Sequence, residues 1–130
     1  MVRFEIFCKT LENLEEITRR HPPYDVVVTA GLCSLFTQCF EQSWQAMKEC
    51  LSWMGEREAG TASPRQIVKL SHEAGLIQDE SGWMKAMEER KLEIYTFNRE
   101  VADTLIADTR SLFLPLFRAL KKELEKRYEG

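Results

Sequence analysis

Arg90, Tyr95, Phe97 and Glu41 are the side chains of this 130-residue sequence whose types suit ligand chemistry. The planar guanidinium of an arginine binds phosphate oxygens in pairs, and Arg90 is followed five residues later by Tyr95 and seven later by Phe97. A tyrosine ring can stack on a nucleotide base of any identity. The alternatives are a solvated Arg90 that pairs with a neighbouring glutamate, and an amphipathic interface role for Tyr95.

Glu41 is the one acidic residue in the apolar central part of a predicted helix, where the sequence reads FTQCFEQSW. Two explanations fit a charge at that position. Glu41 pairs with Arg90 across the fold, or it is simply exposed to solvent. The first explanation makes Glu41 a fourth member of a candidate cleft.

The histidines and cysteines do not form a recognisable catalytic or metal site. His21 and His72 have no third partner at triad or ligand spacing. The four cysteines contain no C-x-x-C pair, and three of them lie among apolar residues of one predicted helix, as reduced buried thiols do. We therefore predict no catalytic residue, no metal and no cofactor.

Length and composition indicate one ordinary globular domain over residues 1–130. The sequence has 44% hydrophobic and 30% charged residues, and its net charge of -3 gives no reason to expect tight binding to bulk nucleic acid. It contains no apolar run as long as a signal peptide or a membrane span. We expect a cytoplasmic protein without a membrane partner.

Apolar residues recur at helical spacing almost throughout, so the predicted fold is all-α. The spacing predicts helices over residues 3–20, 25–54 and 63–74, a fourth after Asp79 and a fifth over residues 98–127. Val26, Val27 and Val28 favour a strand in isolation but have no partner strand, so they are assigned to the second helix. An antiparallel four- or five-helix up-and-down bundle is the economical arrangement, with the C-terminal helix kinked at Pro115.

Three stretches resemble the nucleotidyltransferase substrate-binding protein family, a branch of the HEPN (higher eukaryote and prokaryote nucleotide-binding) helical domains. They are FTQCFEQSWQAMK at 36–48, SPRQIVKLSHEAGLI at 63–77, and the run from Trp83 through ERKLEIYTFN to SLFLPLF. No single motif is specific, but all three occur in the family's order. The resemblance implies a helical bundle that forms a homodimer and partners a separately encoded minimal nucleotidyltransferase.

The resemblance also implies which function this chain lacks. The sequence has no Gly-Ser followed by Asp-x-Asp, so it is not the transferase itself. Relatives that act as ribonuclease toxins carry Arg-x4-6-His with a Tyr two residues later. Here Tyr95 stands at the His position and Phe97 at the Tyr position. A tyrosine, with an ordinary pKa of ~10, is a poor proton shuttle at neutral pH.

Two functions follow from the resemblance and its departures. The first is a non-catalytic nucleotide- or substrate-binding or regulatory subunit with Arg90, Tyr95, Glu41 and Phe97 in its cleft, and with a nucleotide or RNA as ligand. The alternative is a HEPN-type ribonuclease toxin of a toxin–antitoxin pair with an altered active site. A bundle that kept its fold and lost its ligand is the remaining possibility.

Overall fold

The computed structural model describes residues 1–90 and 98–129, and within those ranges the chain is helical with no strand. The described residues form six α-helices: α1 (Val2–Ile17), α2 (Val26–Trp53), α3 (Pro64–Glu73), α4 (Glu80–Glu89), α5 (Arg99–Asp108) and α6 (Leu114–Glu129). A 3-10 turn, Arg57–Thr61, lies between α2 and α3, and a π-helical turn, Thr109–Phe113, joins α5 to α6. The all-α prediction is confirmed, and the three valines at the start of α2 are helical.

The helices that frame the site begin at the caps that the sequence predicts. Asp25 accepts a hydrogen bond from the Val28 amide at the start of α2. Ser63 and Gln66 form a reciprocal capping box at the start of α3, with Pro64 in the first helical position. Gly75, just past α3, has a φ of 79°, which a residue with a side chain rarely adopts.

α1 ends at Ile17, three residues before the end predicted from its apolar pattern. The backbone carbonyls of Thr18 and Arg20, which follow α1, accept hydrogen bonds from a side chain that is distant in sequence. Nη2 of Arg110 donates to the carbonyls of Thr18, at 2.9 Å, and of Arg20. The predicted end was three residues too late: Pro22 has no amide hydrogen to donate to the Thr18 carbonyl, and Arg110 donates to that carbonyl instead.

The predicted break in the long C-terminal helix occurs where Pro115 requires it. Proline lacks an amide hydrogen, and its ring clashes with the carbonyl four residues earlier in a regular helix. The preceding segment, Thr109–Phe113, is π-helical, and the amide of Leu114 donates five residues back to Thr109. This wider turn accommodates the proline while α5 and α6 remain continuous.

Side-chain contacts fix the directions of the long helices. Arg118 of α6 pairs with Glu15 near the end of α1, and Tyr128 packs on Phe4 near its start, so these two helices are antiparallel. α1 is also antiparallel to α2, because the first residues of α1 donate backbone hydrogen bonds to Glu49. In the described ranges no helix is both long and apolar enough to cross a membrane.

Candidate functional site

The candidate site is built on the middle of α2, where Phe40, Glu41 and Trp44 lie on neighbouring positions of one face. The indole Nε1 of Trp44 donates to Glu41 Oε2 at 2.9 Å. The ring of Phe40 is fully buried, whereas the side chain of Glu41 is 36% exposed. This face therefore presents a fixed carboxylate at the edge of an aromatic surface.

Arg90 reaches that face from the end of α4, where it is the C-cap residue. Its Nη1 donates to Glu41 Oε1, and its guanidinium carbon lies 5.1 Å from the centre of the Phe40 ring. A cation over an aromatic face gains roughly 0.5–2 kcal/mol, depending on how much water is excluded. The pairing predicted between Arg90 and Glu41 is therefore present, and simple exposure of Glu41 is excluded.

Both oxygens of the Glu41 carboxylate are engaged, one by Arg90 and one by Trp44. Arg90 still has unused donors. Its Nε–H is buried and has no hydrogen-bond partner among the described residues. An arginine has five N–H donors in a fixed plane, so the pair orients the guanidinium without consuming it. Because Nε is buried and the side chain as a whole is 21% exposed, an oxyanion could bind only to the accessible part of the Arg90 guanidinium.

Glu89, the residue before Arg90, lies close to a second acidic side chain, Asp108. Burial first, and then the hydrogen bond and charge of the nearby Asp108 carboxyl, raise the pKa of Glu89 to about 7, whereas Lys85 opposes the shift. Nζ of Lys85 lies 3.6 Å from Asp108 Oδ2. Near neutral pH the Glu89 carboxyl is therefore about half protonated, and Lys85 is the cation that lies beside Asp108.

Tyr95 and Phe97 lie outside the described residues, so their predicted place in the cleft stays a prediction. Of the four predicted site residues, the structure brings Glu41 and Arg90 together. It adds Phe40 and Trp44, which were not among the predicted site residues. The signal was the F-E-x-x-W spacing, which puts all three α2 side chains within about one helical turn.

Thiol and metal chemistry find little support in the structure. Cys33, Cys39 and Cys50 are buried and Cys8 is partly buried, all as free thiols. Burial raises the pKa of the Cys33 thiol to about 11, which makes it a weak nucleophile. Across the described residues no three histidine, cysteine or acidic side chains are grouped to hold a metal ion. His72 instead pairs with Glu80 at 3.0 Å.

Comparison with protein families gives a match over nearly the whole chain. A family model described as nucleotidyltransferase substrate binding protein like matches residues 2–126. The chain belongs to this family. A search of curated proteins finds no match for the sequence.

Two solved structures share the fold of this family member. HI0074 from Haemophilus influenzae, described as having the fold of a substrate binding domain of a nucleotidyltransferase, has a TM-score of 0.79 at 20% identity, and the match covers 94% of this chain and 98% of that one. A protein of Thermus thermophilus has a TM-score of 0.72 at 23% identity, with 95% and 99% covered. At these identities the likeness establishes the fold alone.

The ion pair between Glu41 and Arg90 is expected to couple α2 to α4. We predict a coupling energy of about 1 kcal/mol in a double-mutant cycle of Glu41→Gln and Arg90→Met, because the pair is only partly screened by solvent. Urea unfolding of the four proteins measures it. The matched control is the pair Lys9–Glu12, whose side chains are 72% and 61% exposed, and which should show no measurable coupling. Equal coupling in both pairs would contradict the assigned geometry.

The Glu89 carboxyl is expected to make stability depend on pH. Its pKa is about 7 in the folded protein and 4.5 as an ordinary glutamate, so ionisation costs the folded state more than the unfolded state. Stability from this group is present below pH 4.5 and is lost as the pH rises to about 7. Glu89→Gln should therefore stabilise the protein by about 1–2 kcal/mol more at pH 8 than at pH 4.5, after allowance for solvent screening.

Urea unfolding of the wild type and Glu89→Gln at both pH values measures this difference. The exposed variant Glu73→Gln on α3 reports any general effect of removing one negative charge. A gain for Glu89→Gln that is the same at both pH values would show that Glu89 ionises normally in the folded protein.

Proposed function

We propose that this chain is a non-catalytic nucleotide- or substrate-binding subunit that works with a separately encoded minimal nucleotidyltransferase. The observation that carries the proposal is the Arg90 guanidinium, which lies over the Phe40 ring, pairs with Glu41 and remains partly exposed. The family description names substrate binding for a nucleotidyltransferase, and the sequence lacks the Gly-Ser and Asp-x-Asp arrangement of a transferase. Both agree with a division of labour between two chains.

In this proposal Arg90 binds a phosphate group of the ligand. Charge-assisted bonds from a planar guanidinium to phosphate oxygens are stronger than neutral hydrogen bonds and are often formed in pairs. Glu41 does not bind the ligand directly. It fixes the plane of the guanidinium, and Trp44 fixes the carboxylate in turn. Tyr95 and Phe97, which follow Arg90 in sequence, would supply aromatic surface for a base.

The proposal assigns no proton transfer to this chain. Acid–base catalysis near neutral pH needs a group whose pKa lies near the operating pH, and Tyr95 stands where ribonuclease relatives have histidine. The pKa of Glu89, about 7, lies near the operating pH and so meets that requirement. The Oε2 atom of Glu89 is nevertheless buried and has no hydrogen-bond partner among the described residues, so that oxygen is not open to a ligand. The nucleotidyltransferase partner would supply the chemistry.

Copurification with the product of a neighbouring nucleotidyltransferase gene, followed by incubation with labelled ATP and a panel of RNAs and small acceptors, tests the proposal. We expect a stable complex that transfers label to an acceptor and does not cleave RNA. Arg90→Ala should weaken ATP binding or label transfer by about tenfold or more, the loss expected for charge-assisted bonds to one phosphate. Arg118→Ala, which removes an arginine paired with Glu15 on other helices, is the control and should change neither.

Three outcomes would contradict the proposal. RNA cleavage that disappears in Arg90→Ala would instead establish the ribonuclease-toxin alternative. Equal losses in Arg90→Ala and Arg118→Ala would place the ligand elsewhere. If no partner copurifies and no nucleotide or RNA shifts the melting temperature, the chain is a structural bundle without the proposed ligand.

The proposal includes a homodimer in the cytoplasm. The end of the bundle formed by the start of α1 and the end of α2 exposes apolar side chains, with Val2 67% and Trp53 60% exposed. Such a surface is typical of a protein interface.

Light scattering should give a dimer for the wild type and a monomer for Val2→Glu/Trp53→Glu. The control is Val27→Glu, because Val27 is 78% exposed at the start of α2, the opposite end of that helix. A monomeric wild type would contradict this part of the proposal.

A further inference from the structure

A groove at the other end of α4 from Arg90 has the composition of a ligand site. It lies between the α3–α4 connection, the first turn of α4 and the outer face of α6, and its volume is about 440 Å³. That size is within the range of small-molecule sites in proteins. α4 is about 15 Å long, so the groove is separated from Arg90 by most of a helix.

The floor of the groove is apolar and rigid. Leu76, Ile77, Trp83 and Leu120 lie beneath it and are each no more than 4% exposed, while the partly exposed Leu116 and the exposed Ala119 supply its accessible apolar surface. Gly82 keeps α4 close to α6 there, because a Cβ at this position would lie 3.1 Å from Cδ1 of Leu116. The floor therefore belongs to the core and keeps its shape when the groove is empty.

The acidic side chains around the groove already have partners, whereas its two lysines form no ion pair among the described residues. The two acidic side chains are engaged, since Asp79 accepts from the Gly82 amide at 2.9 Å and Glu123 pairs with Arg127 at 2.8 Å. Lys122 and Lys126 are exposed one helical turn apart and form no ion pair within the described part of the chain. The groove thus presents two free ammonium groups above an apolar floor.

We infer that this groove binds a small organic anion with an apolar, ring-sized body, which the floor covers while Lys122 and Lys126 bind its acidic group. An apolar pocket with a few convergent polar groups is the usual form of such a site. The groove follows α6 from Leu116 to Lys126, about 15 Å, which is short for a docked helix and sufficient for a small molecule. The site is independent of the Arg90 site.

Fluorescence titration of the full chain with anilinonaphthalene sulfonate, an aromatic anion, and with the neutral N-phenylnaphthylamine tests the inference. The wild type should bind the anion at one saturable site, more weakly as salt is raised. Lys122→Gln/Lys126→Gln should weaken the anion by about tenfold and leave the neutral probe unchanged, because two screened charges are removed. Ala119→Trp, at an exposed position on the groove, should abolish binding of both probes by filling it.

Two variants serve as controls. Lys121→Gln removes a single positive charge from the same helix, away from the groove, and should leave both affinities unchanged. Arg90→Ala should also leave them unchanged, so failure of this site is distinguishable from failure of the Arg90 site. If Ala119→Trp does not fold, as judged by its circular dichroism, the lysine double variant still decides the outcome.

Several results would overturn the inference. Undiminished binding of both probes to Ala119→Trp would place them on another apolar surface. An equal effect of Lys121→Gln and the lysine double variant would show general electrostatic attraction only. A changed oligomeric state of Ala119→Trp, or its failure to copurify with a nucleotidyltransferase, would identify the groove as a protein interface.

Discussion

The ring of Phe117 on α6 is in contact with rings from three other helices, and the relative placement of the helices depends on that contact. Its centre lies 5.5 Å from the indole of Trp83, 6.3 Å from Phe36 and 6.4 Å from Phe7. Each of these four side chains is at most 1% exposed. Tilted and edge-on aromatic pairs have preferred geometries, so this cluster fixes both the spacing and the rotation of α1, α2, α4 and α6.

The candidate site is an extension of the same aromatic cluster. Trp83 also contacts Phe40, at 6.2 Å between ring centres, and Phe40 in turn supports the guanidinium of Arg90. The position of Arg90 is therefore set by core packing as well as by its ion pair with Glu41. A phosphate-binding arginine benefits from such support, because a donor that is already oriented loses less entropy when the ligand binds.

The end of α4 combines two opposite electrostatic situations in adjacent residues. A cation is favoured at the C-terminus of a helix, and Arg90 occupies the C-cap there. Glu89, one residue earlier, is an acidic group at the same negative end of the helix dipole, and the carboxyl of Asp108 lies near it. Its Oε2 and the Nε of Arg90 are both buried without a hydrogen-bond partner among the residues described. Buried unpaired groups are costly, and their concentration beside one arginine is typical of a functional region.

Local sequence signals determined most of the secondary structure. Asp25, Ser63, Asp79 and Asn98 stand at the helix starts that the sequence predicts, and each caps its helix because its side chain acts within three residues of its own backbone. The end of α1 lies three residues before the predicted one, and the carbonyls that follow it bond to Arg110, a distant contact that no local pattern records.

The site divides in the same way. The sequence identified Arg90 as a candidate through its resemblance to the family, and Glu41 from the oddness of a charge in an apolar row. Tertiary structure alone decided that they meet across 49 residues, that Phe40 and Trp44 support them, and that Glu89 shares its surroundings with Asp108. The physical reason is range. Helix formation depends on neighbours within one or two turns, whereas ion pairs, shifted pKa values and grooves depend on how helices pack, and packing is set by the whole core.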